Sequence, residues 1–291
     1  MFLLDTVPRM LVFVFMITAM LAVGLRSTTR DLRSLMATRG LLARSLLANF
    51  VIVPIIGIVL IRVLPLKPPV ATALLILACT PGGISALQFT TKIKGAALLA
   101  GSGTFLMSIL AVFLSPVLLG LALPGGMSVV VPYGRAVLFV LVFLLLPLVV
   151  GMVVGSRTAP LADKLAKVLG IISAVSFVTV VLLLMGTRKA AMNSVGKDGL
   201  LVMLVFILVS MLVGWLMGGS TQGSRHALAT VTGMRNVALG LLIALKTFPD
   251  ASVQGPLVAF SALMVPPNLL YTIYSAIRSK RAARAKAEVA E

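Results

Sequence analysis

The chain has 291 residues, 60% of them hydrophobic and 11% charged, with a mean hydropathy of +1.15. So few charges cannot cover a soluble protein of this size, and the composition predicts an all-α polytopic membrane protein. The net charge of +18 does not point to nucleic acid, because the basic residues gather between apolar runs and in the tail.

Apolar runs suited to a hydrocarbon core of ~30 Å fall near 9–25, 40–63, 70–90, 95–123, 132–156, 165–187, 199–219, 226–248 and 255–277. These predict nine transmembrane helices. The first run is longer than a signal-peptide core and continues into Arg26, so it reads as a retained span. Met10, Met16 and Met20 along it read as packing or lipid-facing residues.

The third span is interrupted by Ala78-Cys79-Thr80-Pro81-Gly82-Gly83-Ile84-Ser85. Proline removes a backbone donor and the glycines loosen the turn. The eighth span is interrupted between Thr230 and Asn236, with Gly233 in the middle. Paired interruptions at corresponding places in two halves are the sequence pointer to a transporter site. Freed N–H groups there attract anions and freed carbonyls attract cations. Four spans in the first half and five in the second fit an inverted five-plus-five repeat lacking its first helix. The alternative for either interruption alone is an ordinary Pro/Gly kink.

Lys and Arg concentrate at 26–44, 92–94, 157–167, 225 and 278–286, and are sparser at the opposite span ends. This bias predicts a cytoplasmic C-terminus and an external N-terminus, in a multi-pass protein of the cell (inner) membrane. The basic segment 278–291 reads as a cytoplasmic tail lying on the anionic leaflet. The acidic residues Asp5, Asp31, Asp163, Asp198, Asp250, Glu288 and Glu291 all read as loop or tail residues. A proton relay or cation site built on an intramembrane carboxylate is thereby excluded. Cys79 and His226 are the sole cysteine and histidine, which leaves no disulfide and no Cys or His metal cluster. His226 reads as an interfacial residue beside Arg225. No acid/base or nucleophile–base pair falls inside the spans, which argues against an enzyme.

One charge remains inside a span. Arg235 lies in Thr230-Val231-Thr232-Gly233-Met234-Arg235-Asn236. A guanidinium near the bilayer centre costs roughly 2.5–3.5 kcal/mol on insertion scales, and such residues are usually paired and functional.

At these residues the chain resembles the bile acid/sodium symporter family. The resemblance runs through Ala22-Val23-Gly24-Leu25-Arg26, Leu47-Ala48-Asn49-Phe50-Val51-Ile52-Val53-Pro54, Cys79-Thr80-Pro81-Gly82-Gly83, Gly233-Met234-Arg235-Asn236 and Met264-Val265-Pro266-Pro267-Asn268. It implies an inverted-repeat fold with two crossed discontinuous helices. A panel would comprise 9–25 and 132–187, and a core 40–123 and 199–277. It also implies organic anion substrates, such as bile acids, steroid conjugates or keto acids, and coupling to sodium.

Several positions depart from the family pattern. Ala86-Leu87 stands where a Ser-Asn pair holds sodium, and Ala100 replaces a ligand Ser while Thr104 persists. Val231 replaces a Glu, Arg235 a Gln, and Asn49 is a shorter amide than the family's Gln. Sodium, like other hard cations, needs several oxygen donors, and most of these side-chain oxygens are absent. The reading is therefore of dismantled sodium sites, with Arg235 bonded to the freed carbonyls and to Asn49. Arg235 acts either as a surrogate cation facing an anionic substrate or as a static brace. No metal or other cofactor is implied. Asn236 and Asn268 match family positions lining the substrate cavity. Ser85, Gln88, Thr90, Thr104 and Thr232 are candidates by proximity, with helix bridging as the alternative for each. The family's His next to the last Asn is Pro267. Two other functions stay open: a sodium symporter with rebuilt sites, and a non-transporting membrane sensor.

Overall fold

The computed structural model describes residues 2–26, 39–83, 85–90, 96–123, 134, 138, 141–157, 159–187, 189–248 and 251–288. Arg30, Arg33, Lys92, Lys94, Ile84, Asp31, Asp250 and the first part of the expected 132–156 span lie outside these residues. Every regular element among the described residues is helical. Helix α1 is Phe2–Leu25. Helix α2, Arg39–Val63, contains a π-helical turn at Ala48–Ile52. After α3 (Pro68–Cys79) comes a break, then the short α4 (Ala86–Thr90) and the long α5 (Ala96–Ala122). Helix α6 is Leu141–Arg157, α7 is Ala159–Thr187 and α8 is Lys189–Met217, the last broken at Gly196 where φ is 75°. A second break separates α9 (Gln222–Gly233) from α10 (Val237–Thr247). Helices α11 (Gln254–Leu263) and α12 (Val265–Glu288) follow, separated by a turn at Met264.

Four described helices are long and apolar enough to cross a membrane: Arg39–Val63, Leu99–Ala122, Val195–Met217 and Gln254–Ser279. Phe13–Leu25, Pro68–Cys79 and Leu141–Arg157 are apolar but shorter. The chain is a multi-pass helical membrane protein. The spans expected near 70–90 and 226–248 each come as two shorter helices, because Pro81-Gly82 and Gly233 end the first half of each.

Local sequence explains the irregular turns. The π turn in α2 precedes Pro54, and a second one, Leu141–Leu145, precedes Pro147 in α6. Proline cannot donate to the carbonyl four residues back, so the turn before it widens. Thr221 caps α9 by accepting from the Ser224 N–H at 3.1 Å. Pro68 and Pro69 open α3, where a missing N–H is harmless.

The helices pack as two sets. Helix α1 packs chiefly against α6 and α7. Helix α8 packs on α9 and α11, α9 on α5, and α3 on α2, α5, α10 and α11. Lipid tails are as apolar as leucine, so close contact between membrane helices relies on small residues. A Cβ on Gly24 of α1 would lie 2.2 Å from the Leu148 carbonyl of α6, and one on Gly151 of α6 would lie 2.6 Å from the Leu21 carbonyl. Between α8 and α9, a Cβ on Gly214 would lie 2.4 Å from the Leu228 carbonyl.

His226 is fully buried inside the helix bundle. One reading changes here. Asp5, Asp163 and Asp198 lie within helices α1, α7 and α8, near their first turns, and not in loops or tails; Asp163 and Asp198 are exposed. Met16 and Met20 pack in the core and Met10 is exposed, in line with their reading as packing or lipid-facing residues, because α1 meets α6 and α7 on one side only.

Candidate transport site

The two breaks touch. The Asn236 N–H donates to the Thr80 carbonyl at 2.8 Å, and the Gly83 N–H donates to the Met234 carbonyl at 3.2 Å. These reciprocal bonds replace the helical ones that each chain gives up. Gly82 has φ 89°, which favours glycine, and a Cβ on Gly83 would lie 2.6 Å from the Arg235 carbonyl. Asn236 caps α10, its Oδ1 accepting from the Leu239 N–H at 3.1 Å.

Arg235 sits at this junction and is only 1% exposed. Its Nε donates to the Leu77 carbonyl at 2.9 Å and its Nη2 to the Ala78 carbonyl at 2.5 Å. Its Nη1 donates to Asn49 Oδ1 at 3.0 Å and to the Thr232 carbonyl at 3.3 Å. The planar guanidinium presents five donors in fixed directions, and four directed bonds nearly exhaust them. A buried cation needs such satisfaction because its desolvation is severe. Asn49 is fixed in turn, its Nδ2 donating to the Ser45 carbonyl at 3.0 Å and to Thr232 Oγ1 at 3.1 Å. The π turn in α2 carries Asn49 on its buried side.

Buried backbone carbonyls must find partners, and those of residues 77–80 and of Gly82 do. The Cys79 carbonyl accepts from Ser115 at 2.6 Å and the Gly82 carbonyl from Ser108 at 3.0 Å, both on α5. With Leu77 and Ala78 on Arg235 and Thr80 on Asn236, this end of α3 is fully engaged. Sequence reasoning missed Ser108 and Ser115. A serine in an apolar helix is visible, but which face meets the break is decided by packing.

The remaining candidates lie in several places. Val231, Thr232, Gly233 and Met234 are buried around Arg235, and Pro81, Gly82 and Gly83 form the facing strand of the first break. Ala86, Leu87, Ala100 and Thr104 are buried near the first break, where Thr104 Oγ1 has no hydrogen-bond partner among the described residues. Asn268 is fully buried on α12; its Nδ2 donates to the Met264 carbonyl at 2.8 Å and its Oδ1 has no partner among the described residues. Thr90 bonds back onto its own helix. Ser85 is half-buried beside the break. Gln88 lies elsewhere: its Nε2 donates to Ser173 of α7, and Ser173 donates to the Phe15 carbonyl of α1 at 3.2 Å. Nearby, the Phe177 ring lies 5.2 Å from that of Phe15 and 6.0 Å from that of Phe89. Gln88 and Phe89 thus touch the α1–α7 set, a contact the sequence did not reveal.

Ala86, Leu87, Ala100 and Val231 offer no side-chain oxygen, and the carbonyls of Leu77, Ala78 and Thr232 are taken by a fixed positive charge.

Residues 13–194 match a family described as the Sodium Bile acid symporter family. The chain belongs to this family. Relatives include a probable sodium/metabolite cotransporter, BASS2, of rice chloroplasts, 26% identical over 81% of this chain and 57% of the relative. An uncharacterized sodium-dependent transporter of Bacillus subtilis, YocS, is 25% identical over 94% of this chain and 85% of the relative. The rat hepatic sodium/bile acid cotransporter is 27% identical over 75% of this chain and 62% of the relative. The chain therefore spans little more than half the length of the rice protein. In this symporter family member the first break, at 80–85, lies inside the matched interval, and the second, with Arg235, lies beyond it.

Proposed function

We propose that this chain carries a small or amphipathic organic anion, of bile acid, steroid or keto acid type, across the cell (inner) membrane without sodium coupling. The observation that carries this reading is the bonding of Arg235. Its guanidinium occupies three backbone carbonyls and one amide oxygen at the junction of two broken helices. Carbonyl and amide oxygens are the ligands a sodium ion would use. A side chain that never dissociates supplies the same positive charge permanently, so the carrier loses the driving ion and keeps the structure it stabilised.

In this reading α1, α6 and α7 form a panel, roughly 9–25 and 132–187. The other helices form a core, roughly 40–123 and 199–277, with 278–291 as a cytoplasmic tail. The packing into two sets supports that division, and alternating access is relative motion of the sets. Substrate would meet the core near Asn236, Asn268, Ser85 and Gln88. The burial of Arg235 favours a bracing role over direct substrate contact.

The test is counterflow uptake of radiolabelled organic anions by proteoliposomes, in sodium and in choline buffers. Equal rates are expected. A strict sodium requirement returns the second reading, a sodium symporter with rebuilt sites, which the names of the relatives and the unpartnered oxygens of Thr104 and Asn268 favour. Tight binding of an anion without flux would indicate a membrane sensor instead.

A further inference from the structure

Two arginines meet at one end of the core helices. Arg44 lies near the start of α2 and Arg225 in the first turn of α9. Both approach Gly219, in the turn that joins α8 to α9. The Arg225 Nε donates to the Gly219 carbonyl at 2.6 Å. The Arg44 Nη1 lies 3.9 Å from the point that a Cβ on Gly219 would occupy. Gly219 has φ 78°, which favours glycine, so the corner keeps both its turn and its open space.

Arg225 is held in place. Its guanidinium lies over the Trp215 ring, 4.7 Å from the centroid. Stacking fixes the plane and the Gly219 bond fixes one edge. The remaining edge, Nη1 and Nη2, is a fork that matches two oxygens of one phosphate. Arg44 beside it is exposed.

Among the described residues no carboxylate answers these charges. Helices α2 and α9 contain no acidic residue. Asp198 of α8 lies near the opposite end of that helix, and Glu288 is the last residue of α12. Asp31, between α1 and α2, lies outside the described residues. Arg278 of α12 adds a third positive charge: it and Arg225 both lie within electrostatic reach of the Tyr271 hydroxyl. Like charges repel, so this corner favours an anion supplied from outside the chain.

Depth selects the kind of anion. Trp215, the only tryptophan, belongs to the last turn of α8, and tryptophan favours the membrane–water interface. Beyond the arginines both helices turn apolar side chains outward. Leu47, Val51 and Ile55 follow Arg44 along α2, and Leu216, Leu212 and Leu208 lead away from Gly219 along α8. Each is between 44% and 59% exposed, as expected of residues that face lipid. The two helices pack on each other, and a Cβ on Gly57 of α2 would lie 3.6 Å from the Phe206 ring of α8. Two neighbouring apolar stripes thus start from one basic corner.

We propose that this corner binds one anionic phospholipid, its phosphodiester between Arg44 and Arg225 and its acyl chains along the exposed stripes of α2 and α8. Basic pockets between membrane helices suit such headgroups. A zwitterionic lipid carries the same phosphate, but its trimethylammonium is repelled by the arginines. Arg225 opens the helix that ends at the second break, so the bound lipid ties α2 to the α8–α9 turn and stabilises the core set. The site does not depend on the carrier reading.

The full chain, purified in detergent, is melted with added dioleoylphosphatidylglycerol, dioleoylphosphatidylcholine or glycerol phosphate, and native mass spectrometry counts the lipid retained. Phosphatidylglycerol is expected to raise the melting temperature and to remain as a one-lipid adduct, while the other two do neither. Arg44→Gln and Arg225→Gln are each expected to weaken the adduct about tenfold, the loss of one charge-assisted contact. Arg157→Gln, at an exposed arginine that ends α6 in the other helix set, is expected to keep it. Equal retention of the two lipids, or a loss in Arg157→Gln as large as in Arg44→Gln, reduces the corner to general attraction between a basic protein and acidic lipid and overturns the proposal. A melting shift from glycerol phosphate as large as that from phosphatidylglycerol assigns the corner to a soluble phosphate and overturns it too. Because Arg44 is exposed, its glutamine variant decides the matter even if Arg225→Gln fails to fold.

Discussion

Arg235 and Asn49, 186 residues apart in the chain, meet through a 3.0 Å hydrogen bond at the point where two broken helices touch. Asn49 reaches the junction from the π turn of α2 and bonds Thr232 as well, so it ties α2 to both the arginine and the helix that carries it. The two side chains act as one unit, and a double-mutant cycle is the clean measure of that unit. We expect Arg235→Ala and Asn49→Ala each to lower thermal stability in detergent, with a coupling energy within the ~0.5–3 kcal/mol usual for residues sharing a network. Removal of Arg235 has the larger effect, of about 3–5 kcal/mol, because Asn49 Oδ1 and the carbonyls of Leu77, Ala78 and Thr232 are left buried and unpaired. Strict additivity would remove the unit.

Arg235→Lys separates charge from geometry. An ammonium keeps the charge but has three donors on a point centre, and it cannot span acceptors on α2, α3 and α9 together. A melting temperature between those of wild type and Arg235→Ala is expected. A lysine variant as stable as wild type would show that charge alone holds the junction.

A resident cation predicts insensitivity to the mobile one. A ligand that binds only the folded state raises stability by RT ln(1 + [L]/Kd). Replacing choline with sodium at fixed ionic strength should therefore leave the wild-type melting temperature unchanged. A sodium-specific rise would restore the rebuilt-site reading.

Gly83 tests the contact between the breaks. Its missing Cβ leaves room for the backbone carbonyls of Arg235 and Met234, which a methyl group would approach to 2.6 and 2.8 Å. Backbone on both sides cannot step aside as a side chain can. Gly83→Ala should destabilise by about 1–3 kcal/mol, as overpacking does, and loosen the two bonds between the breaks, read as faster amide exchange at Asn236. A neutral substitution would mean that the breaks do not touch.

Phe177 tests the contact between the two helix sets. It packs on Phe15 within its own set and on Phe89 of the other. Phe177→Ala should cost up to the ~3–5 kcal/mol seen for buried phenylalanine, and it should alter anion counterflow if α4 moves against α7 during transport. A stability loss with transport unchanged would confine Phe177 to packing.

The sequence by itself determined the membrane class, the two interrupted helices and the conspicuous charge. Each is written locally, in long apolar runs, in Pro81-Gly82-Gly83 and Gly233, and in an arginine with no acid nearby. Arg235's partners were legible only as types of group, carbonyls and an amide. The tertiary structure decided which carbonyls, by bringing the end of α3 within 2.9 Å of a side chain 158 residues later. It also decided what local pattern cannot encode: that Ser108 and Ser115 face the first break, that Gln88 and Phe89 touch the α1–α7 set, and that His226 is fully buried. A residue's neighbours along a helix follow from its period, but its neighbours across helices depend on rotation and depth. Those are set by close approaches such as Gly24 to Leu148 and Gly214 to Leu228, where the absence of a side chain lets two backbones meet.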